Sequence, residues 1–255
     1  MIQSLDRGIK ILDLIAEKKL VGVIEIAALF KINKSSAFRL LDTLRANNLV
    51  EKDKITEKYR ISANVLKYSR TFLRNSIVKT AHPYLAKLLA QINENVSLAA
   101  FSNEKIIIID NCSNDSSVNL VLSYGSETNI YCSSLGKVIC ANLPDDVQNR
   151  IIASTEFFGR TDRTITSKTE LMNHFKKIQN DGYAVDDEEY TDGVRSIAAP
   201  IRNNLGEVNY SLGISAPVTR LDPQMIPGYA KIIMDIASEI SIQCGYKPND
   251  LYCLI

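Results

Sequence analysis

Apolar residues recur at steps of three and four in two neighbouring runs: Val23, Ile26, Ala27, Phe30 and Ile32, then Ala37, Leu40, Leu41 and Leu44. That spacing lines one side of a 3.6-residue helix. Lys31, Ile32 and Asn33 interrupt the period, and Asn33 suits an N-cap because its side-chain oxygen can accept the orphan N–H groups of the next turn. The pattern predicts a helix-turn-helix over residues 23–47. The outward side of its second helix carries Ser35, Ser36, Arg39 and Thr43, donors that reach phosphates and base edges in a major groove. The plainer alternative is two packed helices of any helical domain.

Upstream, residues 4–18 are amphipathic, with Leu5, Ile9, Leu12 and Ala16 on one stripe expected to pack on the helix-turn-helix. Downstream, LVEKDKITEKYRIS alternates on both sides of a polar turn at residues 53–56, a short hairpin. Helix, helix-turn-helix and hairpin follow one another as in a winged helix. Lys52, Lys54, Lys58 and Arg60 make the hairpin basic, suited to phosphates beside the groove, although a solvated hairpin also carries charge. Residues 63–92 have helical periodicity with a break expected at His82 and Pro83, where a second helix would begin. The first piece is a linker whose Val65, Leu66, Phe72 and Leu73 are free to pack on a partner.

The rest alternates strands and helices. Residues 96–101 and 105–110 form a hairpin about Ser102, Asn103 and Glu104, and strands are expected over 118–122, 183–186, 194–201 and 208–216. Helices are expected over 134–143, 144–153, 169–179 and 223–244, with loops at 113–117 and 203–206. Strands flanked by helices imply an α/β or α+β sheet domain.

Charge sharpens this division. Residues 1–77 hold 15 Lys and Arg against 8 Asp and Glu, a net of +7, while the remainder nets −6 within an overall +1. A basic first part joined to an acidic remainder suggests that the first part meets a polyanion. No apolar run approaches the ~20 residues of a membrane span, and the first ten residues lack the apolar core of a secretory signal. Five cysteines, 112, 132, 140, 244 and 253, without CxxC spacing fit reduced thiols in a cytoplasmic protein better than disulfides or zinc.

Four segments, SSLGKVICANLP, RTITSKTEL, GYAVDDEEYTDGVRSIAAPIRNNLGEV and SLGISAPVTRL, follow SLDRGIKILDLIAEKK and the helix-turn-helix in an order that resembles the IclR family of bacterial transcription regulators over nearly the whole chain. The resemblance implies an α+β protein: a winged helix-turn-helix over 1–62, a linker helix over 63–81 and a GAF-like α/β effector-binding domain over 82–255. It also implies a regulator, most often a repressor, that forms a homodimer or homotetramer on double-stranded operator DNA and answers to a small organic acid. No catalytic residue, metal or cofactor is implied. Two positions depart from the pattern. Lys31 stands where many members have Gly, at a cost of roughly 1 kcal/mol if the backbone is left-handed, and Ser196 stands where the family often has Cys.

On the DNA side, Arg39 is the candidate for base readout, since a guanidinium grips guanine O6 and N7 bidentately. Ser35, Ser36 and Thr43 accompany it, while Lys34, Lys52 and Lys58 are expected on phosphates. On the effector side, residues 133–137 start a helix, where free N–H groups and the dipole favour an anion. Alternatively Ser133 or Ser134 merely caps that helix. By resemblance, the backbone of Ser134 and Leu135 faces the ligand, Asp186, Ser196 and Ser215 match pocket positions, and Val194 forms an apolar wall. This set suits a small hydroxy or keto acid.

Residues 186–189, four acids in a row, are expected as a solvated loop rather than a metal site. His82 and His174 are expected to cap or lie on the surface, and Cys132 and Cys140 to be buried and inert. A second class of function is an enzyme acting on a small acid, with the first domain as an assembly module. A third is a regulator answering to a partner protein.

Overall fold

The computed structural model describes residues 1–75, 77–114 and 122–248, with only the backbone described at residues 71 and 73–75. The chain divides into two compact units, Met1–Asn75 and Ser76–Ile255. Residues 63–81, expected as one linker helix, are shared between the two units.

The first unit contains α1 (Gln3–Lys18), α2 (Val23–Leu29), α3 (Lys34–Ala46), β1 (Val50–Lys52), β2 (Tyr59–Ile61) and α4 (Leu66–Asn75). Its core gathers Ile11 and Ile15 of α1 with Ile26, Ala37, Leu41 and Tyr59. The expected α1 stripe is therefore corrected in part: Gly8, Ile11 and Ile15 face the core and Leu12 packs beside them, whereas Leu5 and Ile9 are 61% and 53% exposed. Both faces of α1 carry isoleucine or leucine, so period alone does not say which one the unit covers.

α2 ends in a Schellman turn. Ile32 N–H donates to Ala27 O at 3.0 Å, Lys31 N–H donates to Ala28 O at 3.3 Å, and Lys31 takes φ 52°. Asn33 then caps α3, its Oδ1 accepting from Ser36 N–H at 2.7 Å. β1 and β2 pair antiparallel, and Tyr59 also exchanges two backbone bonds with Val21, which ties the hairpin to the entrance of α2.

The second unit contains α5 (Ile77–Ile92), β3 (Asn95–Ser102), β4 (Lys105–Cys112), β5 (Glu127–Thr128), α6 (Ser134–Ala141), α7 (Asp145–Ser154), α8 (Lys168–Asp181), β6 (Ala184–Asp187), β7 (Val194–Arg202), β8 (Val208–Pro217) and α9 (Ile226–Gln243). One antiparallel sheet runs β5-β4-β3-β8-β7-β6. Leu85, Leu88, Ile233 and Ile236 of α5 and α9 pack on one face, against Leu98, Leu212 and Ile214. Leu135, Val138, Ile151 and Phe175 of α6, α7 and α8 pack on the other, against Ala99, Ile108 and Ala198.

The break expected at His82 and Pro83 is absent: α5 runs through Pro83. An interior proline costs about 3 kcal/mol in lost bonding and crowding. Burial of Ile77, Ala81, Leu85, Leu88 and Ile92 along one side of α5 offsets it. The strand expected over 118–122 lies, except for Leu122, outside the described residues, as does 115–117 of the expected loop.

Candidate functional site

In the second unit a row of polar residues crosses the sheet. Asp186 of β6 stands opposite Ser196 of β7, Ser196 opposite Ser215 of β8, and Ser215 opposite Asn95 of β3. Directly opposed residues share one face of a sheet. The start of α6 packs on that face, and two glycines permit it. A Cβ on Gly136 would lie 2.2 Å from Asn129 O, and one on Gly213 would lie 3.0 Å from Leu135 Cδ2.

Between helix start and polar row lies a cavity of about 290 Å³ lined by Leu122, Thr128, Ser133, Ser134, Leu135, Asp186, Tyr190, Thr191, Val194, Ser196 and Ser215. The structure thus brings all seven residues singled out for the effector side around one space. Leu122, Thr128, Tyr190 and Thr191 were missed. Thr128 sits on a two-residue edge strand, too short for any period to signal, and Tyr190 and Thr191 follow the acidic run.

Hydrogen bonds set what the lining can offer. Ser133 is the N-cap of α6: its Oγ donates to Asn129 O at 2.6 Å and accepts from Gly136 N–H at 3.0 Å. Its hydroxyl is thereby committed to the fold, as the capping alternative expected. Among the described residues the N–H groups of Ser134 and Leu135 have no acceptor. They point from the positive end of the helix, where an anion is favoured. Ser134 Oγ lies 2.8 Å from Ser196 Oγ, and Ser196 Oγ–H donates to Asp186 Oδ2 at 3.0 Å. Asp186 Oδ1 accepts from the N–H groups of Glu189 at 2.8 Å and Tyr190 at 3.2 Å.

The acidic run is not a solvated loop. Asp186 and Glu189 are 3% and 6% exposed. Asp187 pairs with Arg195 and with Arg163, and Glu188 with Arg163. Glu189 reaches back to Lys137 of α6, which is fully buried. Burial raises the Asp186 carboxyl from its ordinary value despite Lys137 and its donors. Burial likewise pushes Glu189 up to about 7 against the pull of Lys137. Arg160 stacks over the Tyr190 ring at 4.1 Å and donates through Nε to Tyr190 O at 3.0 Å, while Thr164 Oγ1 donates to Glu189 O at 2.7 Å. The loop over the cavity is therefore pinned from beneath by an ion pair and from the side by residues 160–164.

Elsewhere in this unit, His82 Nδ1 lies 2.8 Å from Asp110 Oδ2, and burial beside Lys137 lowers His174. Cys132 and Cys140 are buried, free thiols pushed up to about 11 and about 12 by desolvation, which leaves little nucleophilic thiolate. Among the described residues no group of three or more His, Cys, Asp or Glu could hold a metal ion. No described helix is long and apolar enough to cross a membrane.

In the first unit, α3 presents Lys34, Ser35, Arg39 and Thr43 to solvent, with Ser36 half-buried beside them. Arg39 and Lys34 form no ion pair among the described residues. Ser35 Oγ–H donates to Asn33 Oδ1 and Thr43 Oγ1–H to Arg39 O, so these hydroxyls are locally engaged. On the hairpin Lys52 pairs with Glu57 and Arg60 with Glu51, whereas Lys58 has no ion pair among the described residues. The basic character that composition showed is thus partly neutralised at the hairpin and open on α3.

Comparison with known proteins places both units. The description "IclR helix-turn-helix domain" matches residues 4–54, and "Bacterial transcriptional regulator IclR C-terminal" matches residues 70–242. The chain is similar to the HTH-type transcriptional regulator BhcR of Paracoccus denitrificans, 27% identical over 249 residues, 97% of this chain and 88% of BhcR. It is similar to the transcriptional repressor IclR of Escherichia coli, 26% identical over 248 residues, 96% of this chain and 90% of that one. The crystal structure of the Thermotoga maritima IclR superposes with a TM-score of 0.79 at 27% identity, covering 96% of this chain and all of the other. The first unit is therefore a helix-turn-helix DNA-binding domain and the second a ligand-binding domain of a regulator rather than an enzyme. The chain belongs to the IclR family of bacterial transcriptional regulators.

Proposed function

We propose that this chain is a repressor that holds double-stranded operator DNA as a homodimer or homotetramer and changes its hold when a small hydroxy or keto acid enters the cavity of the second unit. One observation carries the effector reading. Two amides at the start of α6, without an acceptor among the described residues, open on a polar wall of Asp186, Ser196 and Ser215. That arrangement seats a carboxylate on the helix start and leaves oxygen atoms for a second polar group. A repressor role is supported by the similar Escherichia coli protein, a transcriptional repressor by name. Self-association is supported by apolar side chains exposed on the first unit, Leu5 and Ile9 of α1 with Leu66, Tyr68 and Phe72 of α4. Of Leu73 only the backbone is described.

On the DNA side, Arg39 reads a base and Lys34 and Lys58 hold phosphates, with Ser35, Ser36, Thr43 and Lys52 in support. The test is fluorescence anisotropy of the full chain on a duplex from upstream of its own gene, across a salt series, with a shuffled duplex as control. Specific binding that weakens steeply with salt is expected. Salt-independent or absent binding at low salt contradicts the reading.

A further inference from the structure

Of the oxygens facing the cavity, the proton positions in one buried chain follow from geometry. The Asp186 carboxylate receives the Glu189 and Tyr190 amides on Oδ1 and the Ser196 hydroxyl on Oδ2. Ser196 has one proton, and donating it leaves only lone pairs for Ser134. The two hydroxyl oxygens stand 2.8 Å apart and must share a proton, so it is Ser134 that donates. Ser134 therefore shows the cavity an acceptor. Ser134, Ser196 and Asp186 are 1%, 7% and 3% exposed, so bulk water does not scramble the order.

We propose that the chain Ser134–Ser196–Asp186 makes Ser134 Oγ a hydrogen-bond acceptor toward the cavity, so that the site selects a small 2-hydroxy acid over the matching 2-oxo acid. The carboxylate sits on the amides of Ser134 and Leu135, and the 2-hydroxyl donates to Ser134 Oγ. This rests on the cavity being the acid site proposed above. A 2-oxo group brings lone pairs against lone pairs, and a buried acceptor left without a donor is strongly disfavoured. Ser215 Oγ, next in the row, has no partner among the described residues and can turn to serve either acid.

The chain can also run backwards. If Asp186 takes a proton on Oδ2, it donates to Ser196, Ser196 donates to Ser134, and Ser134 donates to the ligand, with every oxygen contact kept. Binding of a 2-oxo acid then draws one proton from solvent, which enters at Asp186, and its affinity rises as pH falls. Binding of the 2-hydroxy acid draws none. The groups facing Asp186 are Lys137 of α6, Cys132 before it, and Glu189 and Tyr190 in the loop after β6, with His174 of α8 acting on Lys137. Lys137 opposes proton uptake and burial favours it, consistent with the raised Asp186 carboxyl. Glu189 titrates on its own account, so a variant that cuts the chain without touching Glu189 is the control.

The experiment is isothermal titration of the full chain with lactate and pyruvate, and with 2-hydroxybutyrate and 2-oxobutyrate, at pH 6 and pH 8, with propionate as the plain carboxylate. At pH 8 each hydroxy acid is expected to bind at least about tenfold more tightly than its oxo partner, and the gap should narrow at pH 6. Ser196→Ala frees the Ser134 proton, so the gap should close to within about threefold and lose its pH dependence. Ser134→Ala should close it as well. Oxo acids binding as tightly as hydroxy acids at pH 8, or a gap or pH dependence that survives both variants, overturns the chain and leaves the acid site standing. No binding of any acid, propionate included, overturns both.

Discussion

Lys137 and Glu189 form an ion pair inside the second unit, Lys137 fully buried and Glu189 6% exposed, joining the helix that starts at the cavity to the loop that covers it. The second oxygen of Glu189 is buried and has no partner among the described residues. Removing one member of such a pair costs up to about 3–5 kcal/mol, because the other must stay charged in an apolar setting or take up a proton to avoid it. Lys137→Met is expected to lose that much in urea unfolding at pH 8. Replacing both, as Lys137→Met with Glu189→Leu, should recover most of it. A single variant that unfolds like the parent contradicts the burial of the pair.

The same pair gives a pH dependence. The folded-state carboxyl of Glu189 is raised from 4.5 to about 7. The folded protein therefore binds a proton that the unfolded chain releases, and this contribution is fully present below about 4.5 and lost as pH rises through about 7. Lys137→Met removes the charge that opposes the shift, so the variant's stability should fall more steeply between pH 6 and 8 than the parent's, by up to about 1.4 kcal/mol per unit. Equal slopes for the two proteins contradict this.

Lys31 occupies the left-handed position of the Schellman turn, φ 52°, where glycine is at ease. Lys31→Gly is expected to stabilise the protein by about 1 kcal/mol, seen as a higher midpoint of urea unfolding with unchanged slope. A destabilised variant would place the lysine side chain in a role that its backbone does not reveal.

Gly136 has no room for a side chain, with Asn129 O 2.2 Å from where a Cβ would stand. Gly136→Ala should push the start of α6 off residues 129–130 and abolish acid binding, while DNA binding by the first unit is kept at the level of the unliganded parent. Calorimetry and anisotropy on one preparation separate the two effects. Unchanged acid affinity contradicts the placement of the helix start.

Several features were legible in the sequence because they are local. The Asn33 cap, the helix-turn-helix, the hairpin about Asn103 and Glu104 and the start of α6 at Ser134 all rest on neighbours a few residues apart. What period could not show was which side of an element is covered. Leu5 and Ile9 make as good a stripe as Ile11 and Ile15, and only the packing of the first unit tells them apart. Pro83 looked like a break because its cost is local while the burial that offsets it spans α5. The four acids at 186–189 looked solvated because their partners, Lys137, Arg163 and Arg195, lie far away or on a paired strand. The residues expected around the effector were grouped by family resemblance, not by spacing: Ser134 and Ser196 touch across 62 positions of chain.

On the DNA side the free cations should matter most. Arg39→Ala is expected to relax preference at one operator position, worth about 1–3 kcal/mol there. Lys58→Ala should weaken all duplexes alike and lower the salt slope by about one. Lys52 already pairs with Glu57, so Lys52→Ala should cost less than Lys58→Ala. Anisotropy on a set of single-base operator variants distinguishes these outcomes, and a uniform loss for Arg39→Ala contradicts its place on a base.

The central claim is coupling between the two units, and it is tested by operator affinity measured with and without a saturating acid that calorimetry has shown to bind. A change of about 5- to 150-fold is expected, together with the same factor in acid affinity when operator is present. Ser215→Leu, which fills the cavity, should abolish both. An acid that binds tightly yet leaves operator affinity unchanged contradicts the claim.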